Sequence, residues 1–115
     1  MHLSLHQHLS HSTIAVDGSL TAASIEGVID MFAMVPIGQP LVVDLSRVNT
    51  IDSVATSALH EELRARAVEA TVTVVVDDVD VAMQLVLHDV DRCAQMVRTR
   101  VDAIALATGV LAGQR

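Results

Sequence analysis

Leu41-Val42-Val43-Asp44-Leu45-Ser46-Arg47-Val48-Asn49-Thr50-Ile51-Asp52-Ser53 is the stretch on which the fold turns. Its first five residues form an apolar run punctuated by one acid, the pattern of a central strand covered on both faces. Ser46–Ile51 reads as a loop, and Asp52 or Ser53 as the cap of a helix running to about Ala70. That helix gathers Ala55, Leu59, Leu63 and Ala67 on one side. Its wet side carries Glu61, Glu62, Arg64 and Arg66, with Glu62 and Arg66 at the favourable i, i+4 spacing.

Strand and helix patterns alternate outward from this stretch. On its N-terminal side, Pro36–Pro40 stops a helix that begins near Ala22 and reaches Val35, with Ile25, Val28, Ile29 and Phe32 as its buried stripe. Ser12–Val16 reads as a strand ending at an Asp17-Gly18 turn. The opening strand puts Leu3, Leu5 and Leu9 on one face and His2, Ser4, His6 and His8 on the other, with Ser10-His11 as the hairpin connection. On the C-terminal side, Thr71–Val76 is rich in β-branched residues and reads as a buried strand. Asp77 and Asp78 can cap a third helix whose core stripe is Val79, Ala82, Met83 and Val86. A short strand at Gln95–Arg98 and a helix over Val101–Leu111, ended by Gly113, complete the order β-β-α-β-α-β-α-β-α. This is an α/β pattern for one domain spanning residues 1–115: a mixed sheet with an N-terminal antiparallel hairpin and about four packed helices.

The composition narrows the function. The 115 residues are 51% hydrophobic, enough for a core without metals or disulfides and too apolar for a disordered chain. Apolar runs are only a few residues long, far short of the ~20 that a spanning helix needs. Met1–His6 lacks the positive region and apolar run of a signal peptide. Cys93 is the single cysteine, which points to the cytoplasm as the expected compartment. Fourteen acids against seven bases give a net charge of −7, so neither nucleic acid nor membrane is an expected partner. Phe32 is the only aromatic among Phe, Trp and Tyr, which argues against a base-stacking or sugar-binding site.

The Leu41–Ser53 segment resembles the STAS domain (sulphate transporter and anti-sigma-factor antagonist), which writes a strand ending Asp-Leu-Ser, a loop with Val, and Ile-Asp-Ser-Ser-Gly-Leu-Gly opening a helix. Asp17-Gly18-Ser19-Leu20, the helix after it and the order of elements are also similar to that family. The resemblance implies a STAS-like fold and a non-enzymatic regulator that binds an anti-sigma factor, often a related serine kinase, so releasing a sigma factor in transcription or stress control. The phosphoacceptor of phosphorylated members corresponds to Val54, which has no nucleophilic oxygen. The two family glycines correspond to Ala55 and Ser57, and the Leu between them to Thr56.

The partner-binding expectation therefore covers Asp44, Ser46, Arg47, Asp52, Ser53, Val54, Thr56 and Ser57. Ser53, Thr56 and Ser57 are the candidate surrogate phosphoacceptors; against this, Asp52 repels an added phosphate and Ser53 can simply cap the helix. Asp44 either bonds the segment after it or takes part in signalling. Three other readings stay open: a phosphorylation-regulated antagonist, a small-ligand or nucleotide-binding module, and a structural subunit. Met31 and Met34 lie off the first helix stripe, where they serve either wider burial or a homodimer surface; Val81 and Leu85 fall outside the third stripe in the same way. No cofactor or metal is expected. His6 and His8 sit at i, i+2 within the cluster His2, His6, His8 and His11, yet no acid or cysteine neighbours them. Cys93 reads as a small buried apolar residue.

Overall fold

The computed structural model describes residues 2–108. Five strands, β1 (His2–Gln7), β2 (Ser12–Leu20), β3 (Leu41–Ile51), β4 (Val72–Val75) and β5 (Gln95–Val97), form one sheet in sequential order. β1 and β2 pair antiparallel, and every later pairing is parallel. The connections carry α1 (Ile25–Phe32), α2 (Ser53–Ala67) and α3 (Val79–Leu87), with a 3-10 turn at Val90–Arg92, and α4 (Arg100–Thr108) follows β5. The last part of the expected terminal helix and its Gly113 stop lie outside the described residues.

Strand alternation sorts the side chains into two layers. Leu41, Val43 and Leu45 join Ile14, Val28, Phe32, Leu59, Leu63 and Leu85 in the main core. Val42 and Val75 face the other way and meet Ala103 and Ala107 of α4 in a second, smaller cluster. Asp44, two residues beyond Val42, shares that second face.

Several sequence expectations are corrected. β3 does not end at Leu45. Ser46–Ile51 continues it and pairs with a β2 that runs on to Leu20. Asp17-Gly18 is accordingly a ladder irregularity rather than a turn. Gly18, at φ 110°, adopts a conformation that a side chain would disfavour, and the register shifts on either side of it bend the pair. The hairpin loop is His8–His11, closed by the His8 N–H donating to the His11 carbonyl at 2.8 Å, so Leu9 leaves the strand and is exposed. α1 is shorter than the periodicity implied, because Thr21–Ser24 forms a separate turn in which the Thr21 N–H donates to Ser24 Oγ.

The α3 stripe is the other way round. Val81 and Leu85 are buried and, of the expected stripe, only Ala82 packs partly against the core, while Val79, Met83 and Val86 are exposed. Apolar residues occur almost all round this helix, so periodicity alone does not choose a side; Asp78 caps its start by accepting the N–H groups of Asp80 and Val81. Met31 is half-buried against the main core, whereas Met34 is exposed. Arg66 also departs from its expected role on the wet face. It reaches across to donate to the carbonyls of Phe32 and, at 2.7 Å, Val35, capping the C-terminal end of α1, while Arg64 pairs with Glu61 at 2.9 Å.

Candidate functional site

The start of α2 is built around Asp52. Its carboxylate accepts the Ala55 N–H at 2.8 Å and the Ala22 N–H at 2.9 Å, and its own N–H donates to the Leu20 carbonyl at 3.1 Å. One side chain thus caps α2 and fastens the β2–α1 connection to it. Those donors, Ala55 first and then Ala22, hold the Asp52 carboxyl below its ordinary value. Asp52, not Ser53, is the N-cap. Thr56 is fully buried, and its hydroxyl donates back to the Asp52 carbonyl at 2.7 Å. Ser53, Val54 and Ser57 are left on the outer surface, with Val54 58% exposed. An exposed apolar side chain between two hydroxyls, on a helix start whose backbone is pinned, is a rigid surface suited to contact.

Asp44, Ser46 and Arg47 do not join this surface. Seven residues of mostly extended chain lie between Asp44 and Asp52, roughly 25 Å at strand rise. The Asp44 side chain is 7% exposed, and one of its oxygens accepts from the Ser46 N–H at 2.9 Å and the Ser46 hydroxyl at 2.6 Å. The other oxygen takes Arg100 of α4, with Nε at 2.8 Å and Nη2 at 2.6 Å. Burial alone would raise this carboxyl; the Ser46 donors and Arg100 outweigh it and hold the group below the usual carboxylate value. Arg47 is exposed and lies 4.0 Å from Asp17. The eight expected contact residues therefore divide between two places. Arg100 is the residue that sequence reasoning missed: a lone acid in an apolar strand signals a buried cation, but nothing local singles out one arginine among seven.

The remaining candidates take ordinary structural positions. His8 and His11 stack with ring centroids 4.7 Å apart, and His11 is buried with Nδ1 2.9 Å from Ser10 Oγ. Among the described residues no group of three or more His, Cys, Asp or Glu side chains is placed to hold a metal ion. Burial pushes the Cys93 thiol up, away from the reactive thiolate. No described helix is long and apolar enough to cross a membrane. Beside the α2 start, a groove of about 300 Å³ runs between Asn49–Ile51 at the end of β3 and Asp80, Met83 and Gln84 of α3.

An anti-sigma factor antagonist from Mycobacterium paratuberculosis superimposes on this chain with a TM-score of 0.78 at 21% identity, covering 92% of each chain. The chain has a STAS-like fold. The anti-sigma factor antagonist SpoIIAA in its unphosphorylated form matches it with a TM-score of 0.69 at 15% identity, over 94% of this chain and 97% of that one. A Shewanella loihica protein described as having a SpoIIAA-like fold matches at 0.60 and 10% identity, over 92% of each chain. No protein-family sequence profile matches the chain, and no curated protein matches it by sequence. The STAS-like likeness thus rests on superposition of the whole fold.

Proposed function

We propose that this STAS-like domain is a non-catalytic, cytoplasmic binding module that captures an anti-sigma factor through the exposed start of α2. The observation that carries this reading is the Asp52-pinned helix start presenting Ser53, Val54 and Ser57 outward, in a fold shared with two anti-sigma factor antagonists. The adjoining groove and the exposed Met83 of α3 extend the same side of the molecule and supply apolar contact area. Val54 carries no hydroxyl, so a serine-kinase partner finds no acceptor at that atom, and the antagonist stays in its binding form. A second reading, regulation by phosphorylation, is favoured by the exposed hydroxyl of Ser53, in the first turn of α2 where helix N–H groups stabilise a phosphate; Ser57 is also exposed but lies one turn further on. Thr56 supports it poorly, because its hydroxyl is buried and engaged.

A charge placed at the centre of this surface tests the reading. Val54→Glu should weaken binding to the anti-sigma factor of the same organism at least 100-fold by isothermal titration, since an unpaired charge desolvated in an interface costs several kcal/mol. Val68→Glu, 81% exposed just beyond the far end of α2, should change affinity less than about threefold. Equal affinities for both variants would remove α2's start from the interface.

A further inference from the structure

On the sheet face away from the main core, α4 packs over β3, β4 and β5, and beside its first residue lies a cavity of about 400 Å³. Its charged lining is Asp17 of β2, Asp44 and Arg47 of β3 and Arg100 of α4, with His2, Ser4 and His6 of β1 beside them. None of these groups is needed by the α2 surface. We propose that this cavity binds a small oxyanion, the carboxylate or phosphate group of a metabolite-sized ligand, through Arg100 and Arg47.

Two acids share the lining, Asp44 and Asp17; the first is neutralised within the protein and the second stands 4.0 Å from Arg47, in a chain whose net charge is −7. Asp44 is buried, and both of its oxygens are occupied, one by Ser46 and one by Arg100, so its charge is spent within the protein. It holds the Arg100 guanidinium in a fixed plane by two of its five N–H donors. The rest of that side chain, 46% exposed, opens on the cavity. A guanidinium held from behind is ready for an oxyanion without an ordering cost, and its planar fork matches a carboxylate or phosphate. Arg47, whose only charged partner among the described residues is Asp17 at 4.0 Å, is free to turn towards the same ligand. The Ser4 hydroxyl and the imidazoles of His2 and His6 supply further donors on the opposite wall. A cavity of this size accommodates a small molecule, while the overall negative field excludes a polyanion.

The test is a titration of the full chain with inorganic phosphate and, separately, succinate, followed through the arginine Nε–H resonances. Saturable shifts at Arg47 and Arg100, with dissociation constants in the millimolar range or below, are expected for at least one of them. Tighter binding of succinate would assign a carboxylate ligand, and tighter binding of phosphate a phosphorylated one; both support the site. Arg47→Gln should weaken binding at least fivefold. Because Arg100→Gln alone leaves Asp44 buried without its cation, Asp44→Asn/Arg100→Gln is the companion variant; it keeps a neutral hydrogen-bonded pair and should weaken binding at least tenfold with its melting transition retained. Shifts that rise linearly without saturation, or that are equal in the wild type and both variants, would overturn the proposal.

Discussion

Replacing Phe32 by Ala is expected to destabilise the fold by about 3–5 kcal/mol, and Leu59→Ala by about 2–5 kcal/mol. Phe32 ends α1 almost fully buried, with the Arg66 guanidinium 5.9 Å from its ring centre, and Leu59 lies on the α2 face turned to the sheet. Each truncation removes transfer energy and leaves a cavity that the surrounding strands cannot close. Against a typical total of 5–15 kcal/mol, either change should bring the protein near its unfolding midpoint under mild conditions. Urea unfolding should show a lowered midpoint at unchanged slope. The same experiment reads the orientation of α3: Leu85→Ala should behave like Leu59→Ala, while Met83→Ala should stay within about 0.5 kcal/mol of wild type. A loss below about 1 kcal/mol for Leu59 or Leu85 would mean that their helix faces are not in the core.

Arg100→Ala should cost about 2–3 kcal/mol at neutral pH. That is less than the 3–5 kcal/mol expected when one member of a fully buried pair is removed, because Arg100 is itself half open to water. The loss comes from leaving Asp44 charged and buried, so it should depend on pH in a definite sense. In the wild type the folded Asp44 carboxyl lies below the unfolded value of about 3.9. Its contribution is complete above that value and is lost as pH falls through the lower folded one. In Arg100→Ala the Ser46 donors remain but both Arg100 contributions are gone, so the carboxyl lies higher than in wild type. The gap between variant and wild type should therefore be widest near pH 7 and narrow as both carboxyls become protonated below pH 4. Asp44→Asn/Arg100→Gln should show no such dependence from this site. A pH-independent gap would mean that Arg100 acts through packing alone.

These contrasts mark what the sequence makes legible. Leu41–Leu45 and Val72–Val75 declare themselves as buried strands because their apolar runs fit only that environment. α2 is equally plain, since its small and leucine positions recur at helical spacing. The extension of β3 through Ser46–Ile51 is not visible locally, because those residues alternate poorly and are held by pairing with a bulged β2. α3 misleads for the opposite reason, with apolar residues on both of its faces. Within the candidate site, Asp52 is readable as a cap, whereas its grip on Ala22, thirty residues earlier, is a tertiary fact. Asp44, Ser46 and Arg47 look continuous with Asp52 in sequence, but an extended strand carries them to another part of the molecule.

The central claim, a contact surface whose acceptor position is Val54, is tested most directly by intact-mass spectrometry joined to affinity measurement. Wild type, Val54→Ser and Ser53→Ala would each be incubated with a cognate anti-sigma kinase and ATP. Wild type and Ser53→Ala should bind and remain unmodified. Val54→Ser should take up one phosphate and then lose at least 100-fold in affinity, because about −1.5 to −2 charges would sit in the middle of the interface. Stoichiometric phosphate on wild type, abolished by Ser53→Ala, would contradict the account and establish Ser53 as the regulated position.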